Sequence, residues 1–91
     1  MKEAAVEARL RQRVKALGGM AIKISPISQA GLPDRLVLLP GGRAFFVELK
    51  RPVGGRLSAI QLVVHPRLEA LGFPVAVLNT TELVDQWLDS L

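Results

Sequence analysis

The sequence contains no cysteine and few aromatic residues. Without cysteine, the chain can form no disulfide bond, no thiolate metal site and no cysteine nucleophile. The aromatic side chains all lie in apolar segments, so we expect them in the core and find little support for base stacking on a single nucleic-acid strand. These residues are Phe45, Phe46, Phe73 and Trp87.

A long apolar run is also missing. No stretch approaches the roughly 20 residues that a helix needs to cross a bilayer, so we expect no transmembrane helix and no membrane partner. The N-terminal segment MKEAAVEARLRQR is charged where a signal peptide would be apolar. We therefore expect a cytoplasmic protein of a bacterium or a phage-infected cell. With 49% hydrophobic and 22% charged residues, the chain is expected to form one globular domain over residues 1–91.

Basic residues are missing from the last part of the chain, because all twelve Lys and Arg lie at or before Arg67. That stretch holds four acids, which gives residues 1–67 a net charge of +8, whereas residues 68–91 hold four acids and a net charge of −4. A separation of this kind predicts a cationic face for a polyanionic partner such as DNA. Solubility alone is the competing explanation.

Hydrophobic spacing and turn residues predict an α/β fold with a mixed sheet flanked by helices. Apolar residues four apart indicate a first helix with one buried face, and short apolar runs bounded by Gly and Pro indicate strands. Pro66 is expected to kink or break the second helix. The predicted order is α-β-β-β-α-β-α, with helix 3–17, strands 20–24, 35–39 and 44–49, a helix opened by Ser58 and closed by Gly72, strand 73–78, and a helix from Thr80 or Thr81 to Leu91.

Three charged residues, Asp34, Glu48 and Lys50, interrupt the apolar context of the predicted hairpin. Glu48 and Lys50 are two residues apart on one strand, so their side chains point to the same face. Converging carboxylates of Asp34 and Glu48 would form a hard oxygen site suited to Mg²⁺ or Mn²⁺, an ion that can activate water and offset charge on a reacting phosphate. The alternative for Glu48 and Lys50 is a strand end that reaches solvent.

The hairpin loop decides whether Asp34 joins the other two residues. A loop of residues 41–43 would set Asp34 opposite Lys50 and Leu36 opposite Glu48, with all four side chains on one face. A two-residue turn at Gly41-Gly42 would put Asp34 on the other face. The metal-site interpretation therefore requires a loop with an odd number of residues, or a bulge.

Three segments carry a family resemblance: Gly31-Leu32-Pro33-Asp34, Phe46-Val47-Glu48-Leu49-Lys50 and Ser58-Ala59-Ile60-Gln61. Over nearly the whole chain, the sequence resembles the VRR-NUC branch of the PD-(D/E)xK nucleases, and the predicted element order is similar to their restriction-endonuclease-like core. The resemblance implies that Asp34, Glu48 and the backbone carbonyl of Leu49 are metal ligands and that Lys50 is the catalytic lysine.

The resemblance also implies a metal-binding glutamate on the first helix. Glu7 matches its position better than Glu3, and an ordinary solvent-facing acid is the alternative. Gln61 would point into the active site, although Ser58 and Gln61 also have the spacing of a capping box. His65, one turn later, could face the same site as a DNA contact, and a satisfied surface histidine is the alternative.

The remaining cations suit phosphate contact rather than catalysis. They are Arg35, Arg51 and Arg56 beside the predicted site, and Arg9, Arg11, Arg13 and Lys15 on the first helix.

The sequence therefore predicts a Mg²⁺- or Mn²⁺-dependent DNA endonuclease in which Asp34, Glu48, Lys50 and Gln61 are catalytic. The resemblance implies a homodimer that acts on branched DNA such as four-way (Holliday) junctions, and a mean hydropathy of +0.31 in so short a chain also favours self-association. A non-catalytic DNA-binding module or subunit that retains the fold is the first alternative. An unrelated basic module that binds RNA is the second.

Overall fold

The computed structural model describes residues 2–25 and 29–91. Over these ranges, four strands form one mixed sheet in the order β1-β2-β3-β4, with β3 and β4 parallel and the other pairs antiparallel. No helix in the described part of the chain is long and apolar enough to span a membrane. The predicted order and sheet type are confirmed. The elements are α1 (Glu3–Ala16), β1 (Met20–Lys23), β2 (Arg35–Leu39), β3 (Arg43–Leu49), α2 (Ala59–Ala70), β4 (Val75–Leu78) and α3 (Thr81–Asp89).

The hydrophobic core lies between one face of the sheet and the helices α1 and α3. Helix α1 buries residues spaced four apart, because i and i+4 lie on the same side of a helix. Strands β2 and β3 supply alternate residues from their shared face. The buried core consists of Val6, Leu10 and Val14 of α1, Val37 and Leu39 of β2, Val47 and Leu49 of β3, Leu78 of β4, and Val84 and Leu88 of α3.

Helix α2 lies over the β3–β4 part of the opposite face of the sheet. Glu48 alternates with Val47 and Leu49 along β3, so its side chain points away from the main core, toward His65 of α2. Val64 and His65 are the buried residues of α2, whereas much of the remaining apolar surface of this helix is exposed. One face of the sheet therefore packs in the main core, with the buried Arg35 at its end, and the other face carries the buried charge of Glu48.

Helix α2 runs through Pro66 without a break, so the predicted interruption is wrong. Proline removes one intrahelical hydrogen bond, which would have joined it to the carbonyl of Leu62. Leu62 and Pro66 are both exposed, so water can solvate the carbonyl that loses its partner. The missing hydrogen bond between Pro66 and Leu62 is therefore compatible with a continuous helix, because it lies on the exposed side of α2.

The β2–β3 hairpin has a three-residue loop, Pro40-Gly41-Gly42, in which Leu39 pairs with Arg43. Arg43 belongs to β3 and donates a hydrogen bond from Nε to the Pro40 carbonyl at 3.2 Å. Both predicted registers are therefore wrong, because Leu36 lies opposite Phe46 rather than Glu48. The loop is still odd in length. Continuing this register by one residue beyond Arg35 sets Asp34 opposite Glu48, on the same face.

Gly31 lies where the loop before β2 touches α2. Its φ of +84° is in the region that favours glycine. A Cβ atom there would lie 2.7 Å from Val64 Cγ2 and 2.9 Å from the Ile60 carbonyl oxygen. The glycine of the Gly-Leu-Pro-Asp motif therefore allows α2 to pack closely against the segment that carries Asp34.

We expect Gly31→Ala to lower the free energy of unfolding by about 2–4 kcal/mol, because strain at positive φ adds to overpacking against α2. Gly42→Ala is the matched control, since Gly42 has a φ of +75° but a Cβ atom there would meet nothing within 4 Å. The control should lose only about 1 kcal/mol. Equal losses in urea denaturation would contradict the proposed contact.

Candidate active site

Asp34 is fixed at the end of β2 by hydrogen bonds to both neighbouring strands. Its carbonyl oxygen accepts from the backbone N–H of Ile24 at 2.8 Å, which extends the pairing of β1 with β2. Its Oδ2 accepts from the backbone N–H of Leu49 at 2.8 Å. The preceding Pro33 is fully buried. The carboxylate of Asp34 is thus held against the end of β3.

Glu48 is a buried acid, with only 1% of its surface exposed. Its Oε2 forms an ion pair with Lys50 Nζ at 2.9 Å, whereas its Oε1 has no hydrogen-bond partner. Burial raises the pKa of Glu48, and the nearby charge of Asp34 raises it further; hydrogen bonding by Lys50 and Gln61 opposes the shift. A buried carboxylate with one unpartnered oxygen lowers the stability of the fold, so its presence points to a functional role.

Lys50 continues the line of β3 beyond the last residue of the strand. Its backbone N–H donates to the Leu78 carbonyl at 3.1 Å, in the manner of the β3–β4 pairing. Its side chain consequently lies on the same face as Glu48, and the two form the ion pair described above. The structure therefore brings together Asp34, Glu48 and Lys50 at adjoining ends of β2 and β3.

Glu7 lies on the other side of this sheet end and is bound to Arg35. Glu7 Oε1 is 2.7 Å from an Arg35 guanidinium nitrogen, and the same Arg35 side chain donates to the Ala21 carbonyl at 3.4 Å. Arg35 is only 7% exposed, so it is placed as an internal ion-pair partner rather than at the surface where a phosphate contact was expected. Glu7 is half-buried, not an ordinary solvent-facing acid.

A cavity of about 160 Å³ lies between the start of α1 and the strand ends. It brings Glu7 and Asp34 to one space, and Glu3 also reaches it, so the choice between the two helix acids stays open. Its lining residues are Glu3, Glu7, Lys23, Asp34, Arg35 and Leu49. Glu48 is not among them. In residues 2–25 and 29–91, no three acidic or histidine side chains are gathered closely enough to hold a metal ion as they stand.

The available donors nevertheless fit a hard divalent cation. Asp34, Glu48 and Glu7 offer carboxylate oxygens, which Mg²⁺ and Mn²⁺ prefer. The unpartnered Oε1 of Glu48 is a buried acceptor that a cation would satisfy. Glu7 would have to exchange its contact with Arg35 for a new one, because its Oε1 is engaged in that ion pair.

Gln61 forms the capping box at the start of α2 and also lies near Glu48. The Ser58 backbone N–H donates to Gln61 Oε1 at 2.9 Å, and the Gln61 N–H donates to Ser58 Oγ at 3.2 Å. Hydrogen bonding by the Gln61 side chain also opposes the raised pKa of Glu48. The capping geometry and proximity to the site therefore coexist.

His65 is buried, with 5% of its surface exposed, so it does not lie at the surface as either sequence interpretation required. Neither ring nitrogen has a hydrogen-bond partner, and Nε2 is 3.9 Å from Glu48 Oε1. Burial lowers the pKa of His65. The spacing of four from Gln61 indicated that His65 could face the site, since the two residues share a helix face, but not that it would be buried against Glu48.

The cations divide into two groups. Arg51 and Arg56 are exposed, and with Lys50 they line a second cavity of about 460 Å³. On α1, by contrast, Arg9 and Arg13 bind Asp85 of α3 at 2.9 and 2.7 Å. Arg13 also binds Asp89 at 2.8 Å. The hydrogen bonds from the two arginines lower the pKa of Asp85, with Arg9 the larger cause. The basic surface of α1 is therefore partly neutralised, contrary to the expected separation of charge.

A mixed sheet with Pro33-Asp34 and Glu48-Leu49-Lys50 at adjoining strand ends defines the PD-(D/E)xK class of nuclease folds. No family model matches the sequence. The chain is 42% identical over 83 residues to "Putative nuclease p44" of Acyrthosiphon pisum secondary endosymbiont phage 1, covering 91% of this chain and 88% of that protein. A solved structure described as a VRR_NUC domain superposes with a TM-score of 0.89 at 35% identity, covering 98% of this chain and 96% of the other. The chain belongs to the VRR-NUC family.

We expect Glu48→Gln to stabilise the metal-free protein at neutral pH. Because the folded-state pKa of Glu48 lies above the ordinary value of 4.5, ionisation disfavours the folded state as pH rises through the folded pKa. The increase in the free energy of unfolding of Glu48→Gln over the unmodified protein should be fully present above the folded-state pKa of Glu48. It should vanish as pH falls below 4.5. Urea denaturation in EDTA across this range measures it. Glu69→Gln, at an exposed position, is the control, and a pH-independent gain at Glu48 would contradict the assignment.

Proposed function

We propose that the protein is a metal-dependent DNA endonuclease that hydrolyses phosphodiester bonds. One observation carries the proposal: the buried carboxylate of Glu48 keeps an oxygen without a partner beside Asp34 and Lys50. An unsatisfied buried acceptor costs about 1–3 kcal/mol, so its retention favours a function at this position. Membership of a nuclease family gives that function its chemistry.

Asp34, Glu48, Glu7 and the backbone carbonyl of Leu49 would hold Mg²⁺ or Mn²⁺. When bound, such an ion lowers the pKa of water and offsets negative charge on the reacting phosphate. The oxygen-only donor set supports this choice of metal. The shared cavity of Glu7, Asp34 and Leu49 supports three members of this set, whereas the buried Glu48 does not line that cavity.

Lys50 would stabilise the charge that develops on the phosphate during hydrolysis. Its ammonium group is held 2.9 Å from Glu48 Oε2, so its position is set before substrate arrives. Preorganised charge of this kind favours the transition state. Gln61 would assist through its side-chain amide while its Oε1 remains bound to Ser58. Arg51 and Arg56, exposed beside Lys50, would contact the phosphates on either side of the scissile bond.

The substrate we propose is branched DNA, including four-way junctions, cut by a homodimer. Resolving a four-way junction takes two symmetric cuts, and one site of this kind cuts one strand. Exposed apolar side chains of α2 and β4 support self-association, since a second copy of the chain could remove some of them from water. They are Ile60, Leu62, Val63 and Val77, with Phe73 shortly before β4.

We expect Glu48→Gln and Lys50→Met each to lower single-turnover cleavage of a four-way junction by at least about a hundredfold, because each removes a group that acts on the reacting phosphate. DNA affinity should stay the same or, for Glu48→Gln, rise, since a repulsive carboxylate is lost. Glu69→Gln, an exposed acid of α2, is the matched control and should cleave normally.

The same assay should include EDTA and a panel of duplex, single-stranded and flap DNA. Cleavage in EDTA would overturn metal dependence, and equal rates on every substrate would overturn selectivity for branched DNA. Binding to junctions without cleavage by the unmodified protein in either Mg²⁺ or Mn²⁺ would favour a non-catalytic DNA-binding module instead.

Light scattering should give about twice the 9.9 kDa chain mass at micromolar concentration. Leu62→Lys should shift the mass toward the monomer, because a charge in an apolar interface is poorly tolerated. Val53→Lys, at an exposed loop position, is the control and should leave the mass unchanged. A monomeric unmodified protein that still makes paired junction cuts would contradict the dimer.

A further inference from the structure

Three buried polar atoms without partners lie together between α2 and β3. They are Nδ1 and Nε2 of His65 and Oε1 of Glu48. The distance from His65 Nε2 to Glu48 Oε1 is 3.9 Å, too long for a hydrogen bond but short enough that a small displacement would form one. The other oxygen of the same carboxylate is already fixed by Lys50 at 2.9 Å.

A side chain that served only to fill this space would be apolar. Unpaired buried polar groups are rare in folded proteins, and each costs about 1–3 kcal/mol. A leucine at this position would have no polar atoms to bury, whereas the imidazole of His65 has two unpartnered nitrogens. The histidine therefore lowers stability at a place where the proposed active site needs a precise carboxylate.

Helix α2 presents His65 to Glu48 together with Gln61. The two residues are four apart, so they lie on the same side of the helix. Gln61 lowers the pKa of this carboxylate, and His65 Nε2 lies 3.9 Å from its Oε1. Close packing of Gly31 against Ile60 and Val64 sets the distance of this helix face from the strand ends.

We propose that His65 is a positioning residue, whose Nε2–H donates to Glu48 Oε1 and fixes the carboxylate orientation when the site is loaded. The proposal rests on the metal site proposed above. With Lys50 on one oxygen and His65 on the other, rotation of the carboxylate would be restricted from both sides. A carboxylate oxygen has two lone pairs, so Oε1 can accept from His65 and still bind the cation. Groups behind metal ligands commonly orient them in this way, and hydrogen bonds of catalytic groups often shorten only in the loaded state.

Two substitutions of His65 by neutral amides distinguish the roles of the two ring nitrogens. Glutamine can place an N–H near the position of Nε2, whereas the shorter asparagine reaches only the position of Nδ1. Mn²⁺ binding to the full chain without DNA, measured by titration calorimetry, then reads out the contact without any cleavage step. We expect His65→Asn to weaken Mn²⁺ affinity by about tenfold or more, and His65→Gln to remain close to the unmodified protein.

His65→Leu adds a second measurement. It removes both unpartnered nitrogens, so the melting temperature of the metal-free protein should rise while Mn²⁺ affinity falls. A purely structural histidine would give the reverse, a lower melting temperature with unchanged affinity, and would overturn the proposal. If the leucine variant does not fold, the Asn and Gln variants still decide the matter.

Equal affinities of the Asn, Gln and unmodified proteins would overturn the role of His65 alone, and so would equal losses in the two amide variants. Absence of Mn²⁺ binding by the unmodified protein would be a different result. It would overturn the proposed metal site and, with it, the positioning role that depends on that site.

Discussion

The buried ion pair between Glu48 and Lys50 constrains the rest of the site. Glu48 is almost completely removed from solvent, which makes its charged form costly. The ammonium group of Lys50, 2.9 Å away, offsets only part of this cost, as the raised pKa of Glu48 shows. The nearby carboxylate of Asp34 adds repulsion and raises that pKa further. Asp34 is itself hydrogen-bonded to the backbone N–H of Leu49, which gives its charge a donor of its own.

The buried charge of Glu48 lies on the face of the sheet that points away from the main core. Val37 and Val47 face the helices α1 and α3, where the main core is continuous. Charge is placed on the opposite face, beneath α2, whose exposed apolar residues show that it packs less completely. A sheet stabilised from one side can hold a desolvated carboxylate on the other without losing the fold. Gly31 contacts α2 and belongs to the segment that leads to Asp34, so its close packing affects both the position of the helix and the candidate site.

Sequence patterns predicted the elements better than the contacts between them. Strand β2 begins and ends as predicted, because Pro and Gly bound a short apolar run, and Ser58 caps α2 as its spacing indicated. The hairpin register could not be fixed, since either end of a Pro-Gly-Gly-Arg loop can join the strand. The burial of Arg35 and His65 depends on partners from distant segments, Glu7 and Glu48, which no local pattern reveals.

The acidic end of the chain changes how the basic surface should be interpreted. Exposed ion pairs such as Arg13 with Asp89 contribute little stability, but they cancel charge on one side of α1. Arg51 and Arg56 are exposed beside Lys50 at the strand ends. Because long-range attraction follows the summed charge, the ion pairs with α3 reduce the contribution of Arg9 and Arg13, whereas Arg11 and Lys15 on the same helix stay exposed. The net charge of the first 67 residues therefore overstates the positive charge that α1 leaves uncompensated.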